Sequence, residues 1–443
     1  MASLENNKRR ILIISSVDPY KGPGILASDL HDNLVEHGYD CDILTKESVE
    51  GHPEILYIHK KNVLNVLLHK IIAKIRYVLC AETSNKKPPY YFFYKSEQHP
   101  PVNVSKVLNR ISKPYDLVYI YFWQGMLSFK TIEALYDKLH CQIHFAGVDY
   151  SQMSGGCHFT IDCERYKTGC GKCPVWKSND ANDFTCKNVE YRAYVYKKVR
   201  PVVWGTTYMQ VFYKQSYLLK DYDRIETSYA TVDEEKFKPI EIEPLRTKYS
   251  IAANKNFIIL FGSQNIDDPR KGFNYLCAAL RILGTHLTDE QRDEILIMTI
   301  GRAGTITSDL PFAVHSIGYV PYTQLPEIYS VANLFVCPSV YDAGPMMVNQ
   351  SIMCGTPVVG FEVGALLDLV KGRNTGLCAE YKDSQSLALC INEIYNLFRC
   401  HKDRYDEMRH NCRALGLSLL SKRAQLEFLD KAIKKYAAAE PTS

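Results

Sequence analysis

The sequence predicts an α/β chain of two parallel-sheet domains facing a cleft. Three observations lead there. Its 443 residues exceed one ordinary core and fit two domains of roughly 200 residues each. Short, continuously apolar runs alternate with stretches of helical spacing in both halves, the pattern of buried parallel strands joined by crossover helices. Between the halves, Pro239 to Lys255 mixes proline and charge with little periodicity, which suits a connection.

In order along the chain, Ile11 to Ser15 reads as a strand, followed by a turn with Gly22 and Gly24 and a helix over Ile25 to His37. Further buried strands are expected at Leu117 to Tyr121, Ile143 to Ala146 and Val202 to Trp204. The second series runs through Phe257 to Phe261, Ile295 to Ile300, Val314 to Ile317, Leu334 to Cys337 and Pro357 to Gly360. The expected domains are 1–238 and 239–415, with a charged C-terminal helix in 416–443 that packs back on the first domain or lies elsewhere on the surface. Ligands of open α/β sheets sit at the carboxyl ends of the strands, so the site is expected there.

Composition narrows the classes. A hydrophobic fraction of 46% with 23% charged residues is that of a globular protein. A net charge of +4, without a domain-wide run of Lys and Arg, argues against a nucleic-acid partner. The run Ile11 to Ile14 is too short for a signal peptide, and no apolar stretch approaches the roughly 18 to 20 residues that cross a bilayer. A cytoplasmic location is expected, at most at the inner face of a membrane. The 15 cysteines then read as thiols or metal ligands rather than disulfides.

Two segments of the second half point to phosphate chemistry. Asp342-Ala343-Gly344-Pro345-Met346-Met347-Val348-Asn349-Gln350 follows a strand and opens a helix, with Pro345 suited to the first turn. First-turn amides and the helix dipole favour an anion, although an ordinary Gly-Pro helix start has the same sequence. Asp268-Pro269-Arg270-Lys271-Gly272 sets two cations beside a helix start, where they could neutralise a departing diphosphate or form a solvated charged loop.

The stretches GSQNIDDPRKGFNYLCAAL, IGYVPYTQLPEIYSVANLFVCPS, DAGPMMVNQSIMCGTPVVGF and TGLCAEYKDSQSLA resemble, in this order, the second domain of retaining glycosyltransferase family four. SSVDPYKGPGILASDL and DYSQMSGGCHFTIDCERYKTGCGKCP extend the resemblance to the first domain. They point to a subgroup with a Gly-Gly-Cys-His and Gly-Cys-Gly-x-Cys-Pro segment that works in bacterial polysaccharide synthesis. The resemblance implies a GT-B fold of two Rossmann-like domains and a hexosyltransferase that uses a nucleotide-sugar donor, a glycan or lipid-linked glycan acceptor and no catalytic cofactor. It implies that Lys271 and Arg270 hold the donor diphosphate and that Gly24, Gly344, Met346 and Met347 approach phosphate or sugar. Asp342 would lie near the donor sugar. Gln350 stands where the family has a Glu that grips the ribose, and Val148-Asp149 where many relatives have His-Asp. Asp149 is thus left to bind the acceptor or act as base. A non-catalytic relative that keeps the fold is the alternative implied by these two departures.

Cys157, Cys163, Cys170 and Cys173 could close around one structural zinc or remain free thiols, and His158 could replace one sulfur. Val63 to Leu79 has a basic side and an apolar stripe, open to peripheral membrane contact or to burial as a core-facing helix. The aromatic run Tyr90 to Tyr94 follows it.

Overall fold

Ile11, Leu12, Ile13 and Ile14 are completely buried in β1 (Arg10–Ser15), because this strand has a parallel neighbour on each edge and a layer on each face. The computed structural model describes residues 9–61, 96–302 and 309–437. The segment Val63 to Leu79 and the run Tyr90 to Tyr94 lie outside them. Among the described residues, no helix is long and apolar enough to cross a membrane.

The chain divides into two units. Within the described residues, unit 1 runs to Gly205 and includes Met209–Thr227 and the chain from Leu429, while unit 2 holds Thr206–Tyr208 and Ser228–Phe428. In unit 1, β2 (Asp40–Glu47), β3 (Leu56–His59), β4 (Leu117–Ile120), β5 (Gln142–Phe145), β6 (Val202–Gly205) and β7 (Ile225–Thr227) join β1 in a seven-stranded sheet of order β3-β2-β1-β4-β5-β6-β7. All its pairings are parallel, with Ile11 opposite both Cys41 and Leu117. Leu429, Ala432, Ile433 and Tyr436 of the helix Lys422–Ala437 are buried, and the Tyr436 hydroxyl donates to Glu226 at 2.7 Å.

Unit 2 repeats the plan with β8 (Phe257–Asn265), β9 (Ile295–Arg302), β10 (Ala313–Gly318), β11 (Leu334–Cys337), β12 (Val358–Phe361) and β13 (Gly376–Ala379), in the order β10-β9-β8-β11-β12-β13. One core cluster lies on each face of this sheet, since neighbouring β8 residues Ile258 and Ile259 fall in different clusters. The segment Pro239 to Lys255, read from sequence as a bare connection, contains the helix Ile242–Lys248. Its Leu245, with Ile251 beyond it, is buried in a unit 2 cluster. Ile242, three residues before Leu245 on the same face, packs against that cluster too, and this pair anchors the helix. In both sheets the strand order reverses, between β1 and β4 and between β8 and β11. Such a reversal is where the loops at the carboxyl ends of an open α/β sheet bind ligands.

Candidate functional site

Lys271 and Asp342 meet at the unit 2 reversal point. The first ends the 3-10 turn Pro269–Lys271 after β8, and the second lies in the loop after β11. Their side chains form an ion pair with Nζ donating to Oδ2 at 2.6 Å, the lysine 29% exposed and the aspartate 13%. Burial works to lower the Lys271 pKa, but the charge and hydrogen bond of Asp342 outweigh it, so the pKa lies above its ordinary value. The ammonium is therefore charged at neutral pH and fixed in place. Gly272 makes the turn possible: its φ is +68°, and a Cβ there would lie 1.8 Å from the Pro338 carbonyl oxygen. The Val340 amide donates to the Arg270 carbonyl at 2.8 Å and ties the two loops together.

Arg270 is placed differently from Lys271. Its guanidinium makes a forked contact with Asp268, at 3.2 Å to Oδ1 and 2.6 Å to Oδ2, and so braces its own turn. The Gly344 amide donates to Asp342 Oδ1 at 3.2 Å, which holds the carboxylate from the side opposite Lys271. The helix Met346–Met353 starts directly after Pro345, so the Met346 and Met347 amides precede its own hydrogen-bond ladder. Both methionine side chains are partly buried against the core, with Met347 lying over Gly262 of β8. Gln350 is 3% exposed, and its Oε1 accepts the buried Tyr329 hydroxyl at 2.9 Å. Its acceptor atom is thus engaged inside the domain, leaving the Nε2 donor as the distinct end of the amide.

In unit 1, Gly24 is buried after β1, and a Cβ there would lie 2.1 Å from the Asp18 carbonyl oxygen, so glycine is required by the packing of the loop on itself. Asp149, in the loop after β5, is wholly buried. Its Oδ1 accepts the Ser151 amide at 2.7 Å and the Ser151 hydroxyl, while Oδ2 accepts Gln124 Nε2 at 2.7 Å. His158 Nδ1 lies 2.8 Å from Oδ2. Burial raises the Asp149 pKa, yet the charge and hydrogen bond of His158 together with Ser151 hold it below the ordinary value. Sequence spacing offers Asp149 no such partners. Gln124 comes from the loop after β4, and His158 reads from spacing only as a substitute for a cysteine.

Cys157, Cys163, Cys170 and Cys173 are mutual electrostatic neighbours, and Gly155 N–H donates to Cys170 Sγ at 3.3 Å. Burial and the neighbouring sulfurs push the Cys157 thiol well up, and burial above all takes Cys170 to about 12. Among the described residues, no three His, Cys, Asp or Glu side chains converge so as to hold a metal ion. The four sulfurs are gathered in one region of the loop, the arrangement on which both the zinc and the free-thiol readings rest.

The basic turn after β8 and the acidic loop and helix start after β11 fall in one recognised segment. Residues 256–396 match the family of glycosyl transferases group 1. This glycosyl transferases group 1 segment contains Lys271, Asp342, Gly344 and Gln350. Among curated proteins, the chain is 27% identical over 163 residues to O-antigen chain mannosyltransferase B of Escherichia coli, covering 34% of this chain and 40% of that one. The chain spans less than half the length of the curated relatives it matches. Among solved structures it resembles sucrose-phosphate synthase of Thermosynechococcus elongatus, with TM-score 0.63 and 17% identity over 98% of this chain and all of the other. It also resembles HepE of Anabaena in complex with UDP and glucose, with TM-score 0.60 and 14% identity over 96% and 100% of the two chains. The fold is thus GT-B, with two Rossmann-like parallel-sheet units.

Proposed function

We propose that this chain is a retaining glycosyltransferase that moves a hexose from a nucleotide-sugar donor to a glycan or lipid-linked glycan in bacterial surface-polysaccharide assembly. The observation that carries the reading is the fixed, charged Lys271 at the β8/β11 reversal, beside the Met346–Met353 helix start and inside the glycosyl transferases group 1 segment. Nucleotide-sugar use is supported by the likeness to the HepE structure with UDP-glucose, and a polysaccharide role by the similarity to O-antigen chain mannosyltransferase B of E. coli.

In this reading the bond from the anomeric carbon to the diphosphate oxygen breaks as the acceptor oxygen bonds to that carbon on the same face. The hydroxyl proton passes to the departing diphosphate. The residues of unit 2 stabilise charge that grows on the diphosphate, with Lys271 as a point cation and the Met346 and Met347 amides as fixed donors. Asp342 holds Lys271 in position before the donor arrives, so little reorganisation remains at the moment of reaction. Arg270, engaged by Asp268, shapes the turn and adds positive potential.

The experiment is a transfer screen with UDP-, GDP- and ADP-sugars against free and lipid-linked glycans, read by mass spectrometry, with product anomeric configuration assigned by NMR. Gain of one hexose with retained configuration is expected. Absence of product with every pair removes the reading. A non-catalytic relative is favoured by one observation, the engagement of Gln350 Oε1 by Tyr329, and predicts nucleotide binding without any transfer.

A further inference from the structure

The polar cluster around Asp149 lies at the carboxyl ends of β4 and β5, the end at which open α/β sheets bind ligands. A carboxylate withdrawn from water is costly unless its lone pairs are filled, and Ser151 and Gln124 supply three donors for that purpose. His158 adds something those partners do not. Its Nδ1 faces Asp149 Oδ2 at 2.8 Å, so a proton on that nitrogen is directed into the carboxylate, which fixes the plane and tautomer of the ring. Asp149 has no exposed surface, whereas the His158 side chain keeps 21% of its own. The imidazole is thus the solvent-reaching member of a hydrogen-bonded cluster that begins inside the domain.

The backbone that carries this ring is braced. Tyr150 N–H donates to the His158 carbonyl at 3.0 Å, and Ser154 Oγ both accepts the Cys157 amide at 2.9 Å and donates to the Cys157 carbonyl at 3.0 Å. Arg192, buried and paired with Glu97, donates to the Ser151 and Ser154 carbonyls. A histidine needed only to fill a core would be enclosed. Here a rigid loop presents a partly exposed imidazole, oriented by a buried carboxylate, at the ligand-binding end of the sheet.

We propose that His158, oriented by Asp149, hydrogen-bonds a hydroxyl of a sugar substrate. This rests on the glycosyltransferase reading. Both the donor sugar and the acceptor sugar offer such hydroxyls, and the test separates them. His158 is then the substrate-contacting residue and Asp149 a positioning residue.

The test uses the full chain, with His158→Ala and His158→Gln compared with wild type in three assays: affinity for UDP, GDP and ADP, acceptor-free hydrolysis of the matching nucleotide sugar, and transfer. His158→Ala should keep nucleoside diphosphate affinity within about twofold and lower sugar turnover about 10- to 100-fold, as expected when a site loses one hydrogen-bonding group to a hydroxyl. His158→Gln, which keeps a donor, should recover part of the loss. If the hydroxyl is the donor's, hydrolysis and transfer fall together. If it is the acceptor's, hydrolysis is unchanged and acceptor KM rises. Carbethoxylation by diethyl pyrocarbonate, mapped to His158, should slow when the nucleotide sugar or acceptor is added and not with nucleoside diphosphate alone, which a purely structural histidine would not do. Transfer by His158→Ala within twofold of wild type, together with unprotected His158, overturns the assignment and leaves the glycosyltransferase reading standing. A wild-type chain with no turnover of any nucleotide sugar removes that reading and the assignment with it.

Discussion

Lys271→Ala, Asp342→Asn and the double variant separate what the ion pair does for the fold from what it does for the reaction. The pair is short, 2.6 Å, with side chains 29% and 13% exposed. Breaking a fully buried pair costs about 3–5 kcal/mol, so this partly solvated one should cost roughly 2–3 kcal/mol when either partner is removed alone. The double variant should lose less than the sum of the two single losses, since no unpaired charge remains, and the difference is a coupling energy of about 1–2 kcal/mol. Urea unfolding followed by circular dichroism measures all four proteins, with the m-value checking that the transition is unchanged. Transfer should behave otherwise. Loss of the charge that stabilises the departing diphosphate should lower kcat about 10²- to 10³-fold in Lys271→Ala, and the double variant should not recover it. A coupling energy below about 0.3 kcal/mol would refute the pairing. Recovery of transfer in the double variant would refute the catalytic role.

Other consequences are equally direct. Arg192→Met removes the guanidinium from the buried Glu97 carboxylate and from the Ser151 and Ser154 carbonyls, and should destabilise unit 1 by about 3–5 kcal/mol in chemical unfolding. Gly272→Ala meets a positive φ and the Pro338 carbonyl together, and should lose more than about 1 kcal/mol of stability. His144 is buried, with its Nδ1 accepting Trp204 Nε1–H at 3.2 Å, and burial followed by the Arg224 charge depresses its pKa to about 3. Between that value and the unfolded value of about 6.5, the unfolded chain binds a proton that the folded chain refuses. The stability it confers is therefore present above about pH 6.5 and is lost as pH falls toward 3, at up to about 1.4 kcal/mol per pH unit. His144→Gln, which can still accept from Trp204, should flatten that part of the stability profile, and an unchanged slope would contradict the assignment.

The parts of the fold legible in the sequence are those whose residues face apolar layers on both sides. Ile11 to Ile14, Leu117 to Ile120 and Leu334 to Cys337 are unbroken apolar runs and form central strands. The strands missed were β2, where Asp40 and Asp42 interrupt the run, and the edge strands β3, β7 and β13, each only three or four residues long. A short edge strand has one hydrogen-bonded neighbour and less burial to impose a pattern. At the site, the loop positions of Lys271 and Asp342 followed from strand-then-helix order, but their pairing spans 71 positions and no local spacing encodes it. The same limit hid the contacts of Asp149, whose partners come from the loops after two different strands. Gln350 is legible as a departure from the family pattern, yet its hydrogen bond to Tyr329 depends on how two helices pack, which periodicity alone does not give.

In the proposed function, the β8/β11 reversal receives a pyrophosphate group on Lys271. Isothermal titration of UDP, GDP and ADP into wild type and Lys271→Ala tests it without knowledge of sugar or acceptor. At least one of the three should bind the wild type, and Lys271→Ala should weaken this binding about 10- to 100-fold, the loss of one charge-assisted contact. Equal affinity in the two proteins, or no binding of any of the three to the wild type, would contradict it.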